Sequence, residues 1–432
     1  MVRFAVVGCT HGAFDALYAH IDAFNADAAV RGEAPISAVL LCGDVQCLRN
    51  EEDLKCKASP PRYRRMNEFP EYYTGAKRAS VLTIFIGGNH EASNYLQELH
   101  YGGWVAPNML YLGAAGVVNV AGVRIAGYSG IYDAKDYEKG HYERVPYTKK
   151  SLYSVFHTRA MQIHQLAHLA RGSIDILMSH DWPRKIEDHG DLAALLAQRP
   201  DFQASIDKDT FGSPGGEYLL HRLRPRHWVA GHMHVRFEAR VAHDDTNGLS
   251  ETKFLALDKC VAGRPWFEVI DVSPSLPMAE QSLGVQVHCE WLAILRATQH
   301  TVLSRSSNSV RLPREPSRVT EDEIEWVRQR LQQRCAGVEA SSCSSSTEWF
   351  TRFEMTAPPF GHEDELWTDG PLGNPQTDAL LTLLELPHVV TTPYRSRDLV
   401  DDGSLEDEDD AETKDDNDAY LESLGCFQFG ET

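Results

Sequence analysis

No apolar run in these 432 residues approaches the ~18 needed to cross a bilayer, so no transmembrane helix is expected and no membrane partner. The opening stretch, Met1 to Cys9, is too short and wrongly flanked for a signal peptide, and secretion is not expected. Cysteine is scarce. The nine present are odd in number and irregularly spaced, which argues against a disulfide framework and for reduced thiols in a cytosolic or nuclear protein. Internal repeats are lacking as well. Positive charge runs short, with 42 Lys+Arg against 62 Asp+Glu and a net charge of −20. That deficit is uneven: between Asp401 and Asp418 eleven acidic residues stand against one Lys, half of the net charge. Such a tail is expected to be disordered and solvated. The rest is only mildly acidic. Arg62, Arg64, Arg65, Lys77 and Arg78 flank Tyr63, Tyr72 and Tyr73, so a polyanionic substrate is not excluded.

What is present is the composition of a globular protein, 42% hydrophobic and 24% charged, which excludes disorder of the whole chain. The length predicts one large domain and something smaller. Over residues 1–270 short apolar runs alternate with helical patterns. Strands are predicted at Arg3–Gly8, Ser37–Cys42, Val81–Ile86, Ile174–Ser179 and His227–Ala230, with further strands at Thr252–Asp258 and Phe267–Val272. Phe14, Leu17, Tyr18, Ile21 and Phe24 share one helical face, and a second helix is predicted over Ser151–Leu169. This βαβ rhythm predicts an α/β domain over 1–272. Beyond it, Glu290–Thr298 reads as a compact helical or extended segment and Glu321–Arg334 as a helix. Ser341–Ser346 is a flexible link, part of a Ser-rich stretch near 336–347. Leu380–Leu386 is apolar enough to pack. The expected divisions are therefore 1–272, 273–399 and a tail over 400–432.

Five polar motifs stand each at the carboxyl end of a predicted strand: Gly8-Cys9-Thr10-His11-Gly12, Gly43-Asp44, Gly87-Gly88-Asn89-His90-Glu91, Ser179-His180-Asp181 and Gly231-His232-Met233-His234. Open α/β sheets bind ligands beyond those ends, so the five loops can converge. Imidazoles, a carboxylate, an amide oxygen and a thiol are metal-ligand types. Singly, each motif has an ordinary explanation. Gly-Asp is a common turn, Asn after Gly a left-handed turn residue, and Cys9 alone a core thiol. Their order and shared placement make a metal site the stronger reading.

The ordered set resembles the calcineurin-like metallophosphoesterase family, whose pattern is D-x-H, G-D, G-N-H-[DE], a lone His and G-H-x-H. One position departs: Cys9 stands where that family has its first Asp. Longer strings narrow the resemblance to the RNA lariat debranching enzyme family. They include Asn50–Cys56, Pro60–Arg64, Thr83–Asn94, Tyr101–Asn108, Ser179–Pro183 and Phe254–Cys260, with Glu290–Thr298 resembling that family's C-terminal domain. The Ser-rich link and acidic tail lie outside it.

The resemblance implies an αββα sandwich with mixed sheets plus a smaller C-terminal domain. It implies divalent metal ions, one or two per chain (Fe2+, Zn2+ or Mn2+). One pocket would use Cys9, His11, Asp44 and His234, the other Asp44, Asn89, His180 and His232, with Asp44 bridging ions ~3.5–4 Å apart. His90 would be a general acid or a stabiliser of phosphate charge. Glu91 or Asp181 would orient His90 or a ligand histidine. The implied reaction is hydrolysis of the 2′–5′ phosphodiester at the branch point of excised intron lariat RNA, by a protein resident in the nucleus and expected to be monomeric. The loop over 129–158 interleaves aromatic and basic residues, with Tyr132, Lys135, Tyr137, Lys139, His141, Tyr142 and Arg144 as candidate contacts to branched RNA. Two other readings stay open: a general phosphodiesterase or protein phosphatase, which linear substrates would reveal, and a metal-free scaffold, which metal analysis would reveal.

Overall fold

The computed structural model describes all residues except 61–62, 244–250, 277–283, 303–306, 314, 337–350, 363–372 and 388–432. The acidic tail, the Ser341–Ser346 link, Pro61 and Arg62 therefore lie outside the described residues.

The first strands are apolar along their whole length because both of their faces are covered. In β1 (Val2–Val7), Phe4 and Val6 point one way while Ala5 and Val7 point the other, and all four are fully buried. β1 pairs in parallel with β2 (Ala38–Leu41), and β2 with β3 (Thr83–Phe85). The hairpin of β4 (Gly103–Ala106) and β5 (Met109–Tyr111) completes one side of this sheet. A second sheet is built on β6 (Ala115–Val120), β7 (Val123–Tyr128), β8 (Ile176–Ser179), β9 (His227–Ala230), β10 (Phe237–Ala242) and β11 (Glu251–Ala256). β12 (Phe267–Val272) returns to the first sheet, pairing antiparallel with β1, and β13 (Val285–Val287) closes the edge of the second beside β6. The orders are β12-β1-β2-β3-β5-β4 and β10-β11-β9-β8-β7-β6-β13.

The two sheets face each other across an apolar core of Phe4, Val6, Leu40, Ile84, Ile125, Met178 and Val229. The helix Phe14–Val30 covers the outer face of the first sheet, burying Phe14, Leu17, Tyr18 and Ile21 as their spacing predicts. Helices Ala160–Leu166, Pro214–Leu223 and Cys289–Val302 cover the second, Glu321–Ala336 packs on Cys289–Val302, and Pro375–Leu384 bridges from there to β4 of the first sheet. This is the expected αββα sandwich of mixed sheets.

One expected helix is broken. Ser151–Leu169 divides into Lys149–Ser154 and Ala160–Leu166, because tertiary partners claim the residues between them. Thr158 N–H donates to the Ile131 carbonyl (2.8 Å) and its hydroxyl to Ser129 (2.9 Å). Arg159 is fully buried, with its guanidinium against Glu143 (2.5 Å) and the Asp136 carbonyl (2.7 Å). A buried cation with these partners outweighs two turns of helix propensity. The segment Glu290–Thr298, open between helix and extended chain in the sequence, is the middle of the helix Cys289–Val302.

Candidate metal centre

All five motifs leave the carboxyl ends of β1, β2, β3, β8 and β9, so parallel strands bring them to one edge of the sandwich. The backbone there is unusual. Of the eleven described non-glycine residues with positive φ, five lie in these loops: His11, Asp44, Gln46, His232 and His234. Left-handed conformations cost non-glycine residues free energy, and their clustering marks loops bent to aim side chains inward. Gly88 permits a close approach. A Cβ there would fall 2.3 Å from Asp44 Oδ1 and 2.7 Å from His180 Nε2.

Cys9, His11, Asp44 and His234 present ligand atoms within 4.8 Å of one another. His11 Nε2 lies 3.3 Å from His234 Nε2 and 3.9 Å from Asp44 Oδ2. Cys9 is fully buried, and its Sγ accepts the His232 N–H at 3.2 Å. The other oxygen of Asp44 faces the second set: Oδ1 is 3.5 Å from His180 Nε2, which lies 3.1 Å from Asn89 Oδ1. The His180 and His232 rings are 4.9 Å apart. His180 Nδ1 donates to the Cys42 carbonyl at 2.6 Å, which leaves Nε2 directed at the site.

These residues fit a metal. Asp44 is buried, yet its Oδ2 has no hydrogen-bond partner among the described residues, nor do Nδ1 of His232 and of His234. Buried polar atoms without partners are costly, and a cation would satisfy them. Burial drives His11 and His232 well below the usual histidine range and His234 to about 3, the neutral form a metal requires. Burial pushes the Asp44 carboxyl up, but His180, His90 and His11 outweigh it and hold it well below the usual range. Burial opposes the charged form of His180, but the Asp44 carboxylate beside it outweighs that and raises its pKa.

His90 follows a ligand candidate and meets Asp44 through its backbone, its ring lying 5.8 Å from that of His11. Its N–H donates to Asp44 Oδ1 (2.8 Å), and its Nδ1 donates to the Ala58 carbonyl (2.8 Å), so Nε2 is the atom able to exchange a proton. The residue that orients His90 is therefore not Glu91 or Asp181. Glu91 instead accepts the N–H groups of Val45, Gln46 and Gly88, bracing the two loops that carry Asp44 and Asn89. Asp181 accepts those of Tyr132 and Trp182. Sequence reasoning missed Gln46, Lys57 and Ala58. Gln46 Nε2 lies 3.0 Å from His11 Nδ1, and buried Lys57 donates to Gln46 Oε1 at 3.0 Å. No sequence pattern distinguishes them from other loop residues.

The 129–158 loop divides. Tyr132 borders a cavity of 490 Å3 that also meets His232. Lys135 is exposed. The others are engaged by protein: Tyr137 packs on the core of the second sheet, Lys139 pairs with Asp136 (2.9 Å), and His141 stacks edge-on against His100. The Tyr142 hydroxyl donates to Ser154 (3.2 Å), and Arg144 is half-buried.

Comparison with known proteins agrees with this geometry. A family model described as calcineurin-like phosphoesterase matches residues 2–236, and one described as lariat debranching enzyme, C-terminal domain, matches 249–389. The chain is 47% identical over 304 residues to a Mus musculus protein named lariat debranching enzyme, covering 70% of this chain and 54% of that one. The Homo sapiens protein of that name is 46% identical over the same shares. An Arabidopsis thaliana protein so named is 39% identical over 394 residues, covering 90% of this chain and 87% of its own. The chain thus spans about half the length of the mammalian relatives and most of the plant one.

Proposed function

Because the chain belongs to the lariat debranching enzyme family, with a calcineurin-like phosphoesterase domain, we propose that it hydrolyses the 2′–5′ phosphodiester at the branch point of intron lariat RNA. The observation that carries this reading is the Asp44 carboxylate, buried with one oxygen toward Cys9, His11 and His234 and the other toward His180 and Asn89. Divalent cations held by these two sets would neutralise phosphate charge and acidify the attacking water. Fe2+, Zn2+ and Mn2+ suit the imidazole, carboxylate and thiolate donors.

The protein's own residues do the rest. Asn89 and His180 are positioned by Gly88, Glu91 and the Cys42 carbonyl, so this half of the site is organised before substrate arrives. Water adds to phosphorus opposite the branch 2′-oxygen and gives up one proton to solvent. The P–O2′ bond breaks, and the departing oxygen takes the proton held at His90 Nε2. One product keeps the branch 2′-hydroxyl and the other gains a 5′-phosphate. Burial lowers the affinity of His90 for that proton, and an anionic phosphodiester beside it would restore it.

The test is a synthetic branched RNA beside a linear 3′–5′ RNA of the same sequence, each with and without chelator. Release of a 5′-phosphorylated strand from the branched RNA alone, abolished by chelator, is expected. Equal cleavage of both would make the protein a general phosphodiesterase, and absence of bound metal in the purified protein would remove the centre altogether. The reading further places the protein in the nucleus, where intron lariats arise, as a monomer. Imaging of the tagged chain and sedimentation test these two points.

A further inference from the structure

The 490 Å3 cavity beside His232 has a far wall that no strand-end motif supplies. That wall is the segment Pro200–Gly212, which carries Phe202, Ala204, Lys208 and Phe211 into the cavity lining, opposite Tyr132. Packing holds it in place, with Phe202 and Phe211 both largely buried. The Phe202 and Phe211 rings lie 4.8 Å apart, Trp182 meets Phe211 at 5.7 Å, and Arg199 lies 4.0 Å over Phe202 while donating to the Met233 carbonyl.

The charges there favour an anion. Both acidic groups of the lining are already engaged: Asp201 by Arg199 (2.6 Å), and Asp181 by the Tyr132 and Trp182 N–H groups. Lys208 lines the cavity and is exposed, while Arg184, outside the lining, lies 5.5 Å over the Tyr132 ring. Arg184 Nε is buried with no hydrogen-bond partner among the described residues. Aromatic surface beside cations, opening from a phosphodiester site, suits a splayed nucleotide. The volume lies in the range of small-molecule pockets, ~300–1,000 Å3, ample for a single base.

We propose that this cavity takes one nucleotide of the branched RNA adjoining the scissile phosphate, its base enclosed between Tyr132 and the Phe202–Phe211 wall and its phosphate facing Lys208. The proposal rests on the debranching reading and adds a specificity site to it.

The experiment couples a protein change to a substrate change. Branched RNAs lacking the base at one of the three nucleotides joined to the branch point are compared with intact RNA, in the parent protein and in Ala204→Trp. Ala204 is exposed at the cavity, so an indole there enters the space that a base would occupy. In the parent, one abasic RNA should show a KM raised about tenfold, the scale of one stacked base. In Ala204→Trp the intact RNA should show that same rise, and the abasic penalty should vanish. Metal content must match the parent. Stopped-flow fluorescence of RNA with 2-aminopurine at the same position should change on mixing with the parent and not with Ala204→Trp.

An abasic penalty at no position, or one that persists in full in Ala204→Trp, overturns the proposal. If the parent cleaves no branched RNA, the debranching reading falls. The fluorescence arm still decides the cavity: a change lost in Ala204→Trp supports it, and no change overturns it.

Discussion

Arg49 donates to the Thr356 hydroxyl at 2.9 Å, joining a buried loop beside the metal centre to the C-terminal part of the chain. The guanidinium is fully buried, lies 3.8 Å over the Tyr95 ring, and also bonds Asp53 (2.8 Å) and Glu98 (2.9 Å). Asn50 donates to the Pro358 carbonyl (2.8 Å), and Phe360 N–H donates to that of Arg49 (2.8 Å). Because Gln46 and Ala58 meet His11 and His90 from the same loop, residues 356–360 help fix the site. Arg49→Met should therefore cost about 3–5 kcal/mol by stranding two buried carboxylates. Thr356→Val should cost about 1 kcal/mol. Denaturant unfolding of both variants gives the comparison, and equal losses would contradict the assignment of Arg49 as the hub.

His90→Ala should keep its metal while turnover of branched RNA falls by about 10²–10⁴-fold. Asp44 would lose nothing, since it is the His90 backbone N–H that it accepts. Metal analysis beside single-turnover kinetics checks this. Loss of metal in step with activity would exclude the acid role.

Cys9 gives its pocket a soft donor. Cys9→Ser should weaken metal retention, and Cys9→Asp should shift activation toward Mn2+ or Mg2+. Debranching rates against concentration of Zn2+, anaerobic Fe2+, Mn2+ and Mg2+ in the three proteins provide the measurement. Identical profiles would remove Cys9 from the coordination sphere.

Glu187 offers a pH-dependent stability far simpler than the metal site. Burial pushes its carboxyl from 4.5 up to about 7, with Asp188, Asp209 and Glu217 adding to the shift, and its Oε2 has no hydrogen-bond partner among the described residues. Between those values the native carboxyl keeps a proton that the unfolded one has released, so stability falls as pH rises through that window. Glu187→Gln should flatten that slope and raise the melting temperature at pH 8 relative to the parent. Parallel melting curves from pH 5 to pH 8 for both proteins would contradict it.

The sequence by itself determined the ligand chemistry. A thiol, an amide, a carboxylate and imidazoles each follow an apolar strand, and parallel strands deliver their carboxyl ends to one edge, so local pattern sufficed to predict that Cys9, Asp44, Asn89, His180 and His232 converge. The spacing of Phe14, Leu17 and Ile21 likewise fixed the first helix, since a single covered face has a single period. Tertiary structure decided what depends on partners far away in the chain. Arg159 breaks a helix because Glu143 and Asp136 surround it, Ala58 rather than Glu91 or Asp181 orients His90, and Thr356 reaches Arg49. Phe202 and Phe211 look like ordinary apolar residues in sequence. Only packing against Trp182 and Arg199 sets them opposite Tyr132, because a cavity wall is made by neighbours in space and leaves no period along the chain.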